Sequence, residues 1–443
     1  MSLAITAIRG ALIDFHADPL VEGMAAARRY EADGIVAMAD GRVVASGAAV
    51  AVLPTLPAGT PVTTYANALI TAGFIDSHVH YPQLPVIGAG GKPLLEWLSS
   101  YTFPAEERYA DAEYARLVAR RYLTENLRNG ITTAAVFCTV HRASAEVLFE
   151  EAHALGLRLI AGKVLMDRNA PAGLLDTAQA GYDDSKALLK RWHGKGRLAY
   201  AITPRFAVTS TPAQMDAAGA LKREFPDAYV QSHVAENVAE VALVRRMFPE
   251  ASSYLDVYAR HGLTGPRTIY GHGVHLAESD FAFLHETQTA IAHCPTSNNF
   301  LGSGLFRLAD ATRAPRSVRV GLATDLGGGT SFSMLRTMQA AYEVAVLVGA
   351  PLAPAAALYL ATRGAARALD VEAQVGSLAV GMEADVTVLD LHSTPILDFR
   401  MRQARDIDEV LAIQMALGDD RAVRATYVAG RLAWDRDAAT PER

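Results

Sequence analysis

The sequence predicts an α/β protein: a parallel (β/α)8 barrel of the TIM type with a small β-sandwich domain built from both chain ends. Three observations predict it. Eight short apolar runs, at 73–78, 132–137, 158–165, 198–203, 228–233, 268–271, 290–293 and 318–324, alternate with amphipathic stretches such as 112–129, 143–155 and 183–192. Alternation of that kind argues for a parallel sheet with helical crossovers, and eight units over about 250 residues is the usual size of a barrel. Both chain ends instead read as short strands and turns. Finally, several of the apolar runs end in histidine or aspartate, and chemistry on such a barrel is done at the C-terminal ends of its strands.

At the N-terminal end, 4–13 alternates loosely, and 33–47 reads as a hairpin around Asp40-Gly41. Near the other end, 384–390 is one strand and 425–434 a pair joined at Ala429-Gly430. The expected division is 1–68 and 377–443 for the two parts of the small β domain, with 69–376 for the barrel. The connection after the first barrel strand, from Tyr81 to about Tyr109, is unusually long and is expected to cover the site.

Composition narrows the function. The chain has 443 residues, about half of them apolar and a fifth charged, with a formal net charge of −6. No basic stripe invites nucleic acid and no polybasic segment invites a membrane surface. Two cysteines, Cys138 and Cys294, cannot make a disulfide framework and point to a reducing compartment. The N-terminus lacks the pattern of a signal peptide, and no apolar run is long enough to span a bilayer. A cytoplasmic protein is the expectation.

The first barrel strand ends in His78-Val79-His80. Side chains two apart on a strand leave the same face, so both imidazoles point into one cavity, where they can grip a divalent metal. The fifth ends in His233, with Glu236 three residues on; Gly271-His272 closes the sixth and Asp325 the eighth. A histidine-rich set with one carboxylate suits zinc or ferrous iron with a position open for water, whose pKa the metal lowers. Glu236 can reach a substrate beside the metal and move protons between water, a ring nitrogen and a leaving amine. Asp325 can both touch the metal and take the water's proton. His272 reads either as a further ligand or as a partner that orients the water. Arg205-Phe206, after the fourth strand, offers a fork of donors and a flat face, and Gln83 offers an amide that both donates and accepts. Lys163 falls on the third strand, where a metal-bridging role is not expected. Ser297 and Asn298 could shape the pocket.

These motifs resemble the amidohydrolase superfamily and, within it, the guanine deaminase family. The resemblance is carried by 73–83 (GFIDSHVHYPQ), 94–98 (LLEWL), 101–106 (YTFPAE), 163–171, 203–206 (TPRF), 232–237 (SHVAEN), 293–298 (HCPTSN), 301–306 and 324–330. It implies one zinc per chain held by His78, His80, His233 and Asp325, with His272 at the site and often counted as a ligand. It also implies Glu236 as proton shuttle, and Gln83, Arg205 and Phe206 as contacts to guanine, which is hydrolysed to xanthine and ammonia. By the same resemblance, His233, Glu236 and Asp325 are expected to face the substrate as well, and Asp325 and His272 to join Glu236 in catalysis. A homodimer is implied as well. One departure is Ala72, where the family has proline before Gly-Phe, a change expected to leave the chemistry alone. Three other readings compete: a deaminase of another aminated ring (a modified purine, pterin or triazine), a two-metal cyclic-amide hydrolase, and a non-catalytic scaffold.

Overall fold

The computed structural model describes residues 5–438, which form two sheets. The expected first strand begins at Ala4, which lies outside the described residues, as do the outermost ends of the small β domain. Four strands precede the barrel: β1 (Thr6–Phe15), β2 (Arg28–Ala39), β3 (Arg42–Ala48) and β4 (Val62–Ala72). The barrel strands are β5 (Phe74–His80), β6 (Ile131–Phe137), β7 (Arg158–Gly162), β8 (Val164–Leu165) and β9 (Leu198–Pro204). They continue with β10 (Tyr229–Val234), β11 (Thr268–His272), β12 (Ala290–His293) and β13 (Val320–Leu322). The chain closes with β14 (Val386–Asp390), β15 (Val423–Val428) and β16 (Arg431–Asp435).

All eight apolar runs are strands, with the third split into β7 and β8 around Lys163. They pair in parallel in the order β5-β6-β7-β9-β10-β11-β12-β13, and β8 pairs β9. Helices such as Ala112–Arg128, Arg142–Leu155, Ala178–Trp192 and Pro212–Glu224 fill the crossovers. Small residues, among them Ala135, Ala201, Ala290 and Ala323, share one buried cluster with Ala365, Ala366 and Leu369, so the helix Arg363–Ala368 and the residues after it pack on this strand core.

Polar side chains close the seam between β5 and β13. Buried Asp76 accepts the Thr324 N–H at 2.9 Å and the Thr324 hydroxyl, while the Asp325 N–H donates to the His78 carbonyl at 3.0 Å. Burial pushes the Asp76 carboxyl up to about 7, against the hydrogen bonds that favour its charged form.

The chain ends assemble into one β unit as expected, but as a single seven-stranded sheet, ordered β16-β15-β14-β4-β1-β2-β3, and not as the two sheets of a sandwich. Turns sit at Asp40-Gly41 and Ala429-Gly430. Strand β4 runs on to Ala72, where it pairs with Val386 of β14 and leads directly into the barrel. Ala72 therefore ends a strand of the small sheet rather than preceding a strand as free chain. Between β14 and β15 the chain forms two helices, Pro395–Met401 and Ile407–Leu417; the second packs on the helix Met334–Leu347.

Candidate active site

The tips of five strands meet around one narrow pocket enclosing about 370 Å³ of atom-free space. His80, Gln83, Arg205, Phe206, His233, Glu236, His272 and Asp325 all line it, and His78 lies directly behind. Each expected site residue is thus brought to one place.

His78 and His80 end β5, where a bulge between Asp76 and Val79 interrupts the pairing with β6. Bulges of this kind re-aim side chains beside sites. Both rings rest on Phe137 at the tip of β6, with centroids 4.7 and 4.5 Å away. Gly271 makes room for His78: a Cβ there would lie 2.7 Å from the ring's Cε1. Gly271→Ala is therefore expected to displace His78 and lower the metal content of an otherwise folded protein. Elemental analysis checks this, and wild-type occupancy would refute it.

His233 donates from Nδ1 to the Arg205 carbonyl at 2.6 Å, which fixes its tautomer and leaves the lone pair of Nε2 free. That Nε2 lies 2.9 Å from Nε2 of His80. Burial first, and then neighbouring positive groups, hold His80 and His233 well below the usual imidazole range, so both rings are neutral. Nε2 of His78 and Nδ1 of His80 have no hydrogen-bond partner among the described residues. Ring nitrogens of His78, His80 and His233 lie within 4.8 Å of one another, and His78, His272, Cys294 and Asp325 form an overlapping group. Neutral imidazoles turned on each other beside a buried carboxylate fit a divalent cation, for which they supply lone pairs and compensating charge.

Asp325 stands at φ +46° with Oδ1 3.4 Å from Nε2 of His78 and 3.7 Å from that of His80. Its pKa is lowered: burial opposes ionisation, but the adjoining His78 imidazole and the charge of His272 outweigh it. His272, at φ +73°, directs Nδ1 to Asn298 Oδ1 at 2.9 Å. Its Nε2 then faces Glu236 at 3.4 Å and Asp325 at 3.7 Å. Burial resists its protonation, yet those two carboxylates raise its pKa. Non-glycine residues held in this left-handed region cluster at functional sites.

Glu236 is buried, and burial first, then the charges of Asp325 and Glu240, push its carboxyl up to about 7 against the opposing influence of His272. A group near neutrality is suited to taking and giving a proton. The backbone beneath it is pinned by Glu240, which accepts the N–H groups of Glu236 at 2.8 Å and Asn237 at 3.1 Å, with the Tyr254 hydroxyl donating at 2.6 Å.

At the other side of the pocket, Arg205 is buried and donates from Nη1 to Glu106 Oε2 at 2.6 Å. Phe206 packs edge-on to His233, with centroids 6.3 Å apart. Leu94, Trp97 and Leu98, from the long connection after β5, form part of the wall, so that connection does cover the site. Lys163 is paired with Asp176, which also accepts from Gln214, and it is not among the residues of the cluster. Sequence reasoning had assigned no part to Glu106, Glu240, Phe137 or Trp97. Glu106 and Phe137 act through contacts distant in sequence, whereas Glu240 acts on the backbone three and four residues before it.

The amidohydrolase family matches residues 69–433 of this chain. Guanine deaminase of Escherichia coli (strain K12) is 46% identical over 434 residues, covering 98% of each chain. The solved structure titled E. coli guanine deaminase superposes with a TM-score of 0.95, covering 97% of this chain and all of that one. Guanine deaminase from C. acetobutylicum, solved with guanine bound in its active site, is 27% identical with a TM-score of 0.86, covering 97% of this chain and 99% of that one. Barrel, metal-competent cluster and matched length agree, and the chain belongs to the amidohydrolase family.

Proposed function

We propose that this protein hydrolyses guanine to xanthine and ammonia, with one zinc ion held by His78, His80, His233 and Asp325, and with His272 completing the cluster. One observation carries the reading: a buried carboxyl near neutrality, Glu236, shares a single pocket with a set of neutral imidazoles and with Arg205 and Gln83. The relatives' common activity, one of them with guanine in place, supports the choice of ring.

Bound at the imidazoles, the cation supplies the positive charge that lets a water give up a proton near neutral pH. Glu236 takes that proton and delivers it to a ring nitrogen as the water's oxygen bonds to C2. The proton left on the added oxygen then passes by way of Asp325 and Glu236 to the exocyclic nitrogen; as the C2 carbonyl forms, the C2–N bond breaks and ammonia leaves. One water enters and one ammonia departs, so no organic cofactor or covalent enzyme adduct is needed. His272, with Nδ1 committed to Asn298, turns Nε2 toward both carboxylates and orients the attacking water between them. Arg205 donates to O6 of guanine; an adenine-type amine there would set donor against donor. Phe206 packs on the ring, while Leu94, Trp97 and Leu98 keep bulk water out.

Purified protein is expected to convert guanine to xanthine, followed by absorbance and ammonia release, with about one zinc per chain by elemental analysis. Inactivity on guanine with a full metal site would move the reading to another aminated ring. Two metals per chain would favour the cyclic-amide hydrolase, against which the pairing of Lys163 with Asp176 already speaks. A homodimer working in cytoplasmic purine breakdown completes the proposal, and sedimentation of the purified chain tests its oligomeric part.

A further inference from the structure

Behind the residues assigned to guanine's edge lies a carboxylate that reaches two of them at once. Glu106, in the short helix Phe103–Glu107, is fully buried. Its Oε2 accepts from Arg205 Nη1 at 2.6 Å, and its Oε1 lies 3.4 Å from Gln83 Nε2. Phe103, one turn earlier, sets its ring under the same guanidinium, 5.5 Å from Cζ to centroid. On the other side of Gln83 is Gly327, where a Cβ would come within 2.3 Å of the amide's Oε1. The amide is therefore confined between an acidic acceptor and a bare stretch of backbone.

An ionised carboxylate only accepts hydrogen bonds, whereas an amide can be turned either way. Facing Glu106, Gln83 must offer its NH2 group, which leaves its carbonyl oxygen on the opposite side. Arg205, held by the same carboxylate, keeps its remaining N–H groups as donors. We infer that Glu106 is the positioning residue that sets the hydrogen-bond polarity of the pocket, holding Arg205 as donor and Gln83 as acceptor so that one purine edge fits and its amino counterpart does not. This rests on the proposed guanine reading and deepens it. Glu106 acts through its two neighbours, at a distance from the reacting atoms.

The isosteric substitution Glu106→Gln separates this role from simple support. The introduced amide accepts from Arg205 through its oxygen, and its NH2 then meets Gln83, whose own amide must turn over. The test compares guanine with 2,6-diaminopurine, which keeps the 2-amine but carries a donor in place of O6. Wild type is expected to prefer guanine strongly in kcat/KM. In Glu106→Gln the preference should fall about tenfold or more, chiefly through a higher KM for guanine, with metal content unchanged. The ratio of the two substrates does not depend on how much of the sample is folded, so loss of stability alone cannot move it. An unchanged ratio overturns the inference. If the Gln variant does not fold, Glu106→Asp carries the test, because withdrawing the carboxylate by one methylene should lower the preference by a smaller factor; full retention overturns the inference there too. Wild type inactive on guanine would instead refute the guanine reading, and this inference with it.

Discussion

Glu236→Gln is expected to lower kcat for guanine deamination by about 10²–10⁴-fold, the range for removing a positioned proton-transfer group. The substitution keeps shape and volume but cannot take a proton. The hydrogen bond that Glu240 accepts at position 236 comes from the backbone N–H and does not involve the side chain, so the local fold should persist. Nor is Glu236 one of the clustered imidazoles, so metal content should stay at the wild-type level. Steady-state kinetics with parallel elemental analysis makes the measurement. A variant retaining more than about a tenth of wild-type kcat would assign proton transfer elsewhere, with Asp325 the next residue to substitute. Loss of metal together with activity would show that Glu236 helps hold the cation.

Stripping the metal with a chelator should have the second large effect, on two readouts at once. Activity should fall to background and return on adding zinc. The thermal midpoint should also drop by several degrees, because a cation bound only by the folded state at about 1,000 times its Kd adds about 4 kcal/mol. The structural reason is local. Without a cation, Nε2 of His78 and Nδ1 of His80 stay buried without hydrogen-bond partners among the described residues. Unmet polar atoms of this kind destabilise a folded state by about 1–3 kcal/mol each. A chelated protein with unchanged midpoint and full activity would remove the metal from the account altogether.

The barrel was legible because its strands are buried on both faces and so read as unbroken apolar runs. The candidate cluster was legible because His78, His80, His233, His272 and Asp325 stand where those runs stop. Strand β4 was not named at all: its first half, Val62–Asn67, is mostly exposed and polar, and Asn67 sits at φ +53°. No alternation survives such a kink. The roles of Glu106 and Glu240 were missed for another reason. Glu106 reads as one more acid on an amphipathic turn, and its partner Arg205 is 99 residues away. Glu240 is the third-position acid of a capping box with Asn237, and that local pattern does not announce that it also accepts the N–H of Glu236.

The seam between β5 and β13 gives the site a place in time as well as in space. The hydrogen bond that closes it joins Thr324 to Asp76, 248 positions apart in the chain. At ribosomal speeds of about 5–20 residues per second, His78 and His80 emerge on the order of ten seconds or more before Asp325 does. Strand β4 waits longer with one edge open, since its neighbour β14 begins only at Val386. A stalled or truncated chain thus displays a histidine pair without the carboxylate and an unpaired strand without its cover. The full set of candidate ligands therefore exists only once the chain has passed Asp325, and interrupted synthesis leaves fragments whose open edge makes them targets for chaperones and proteases.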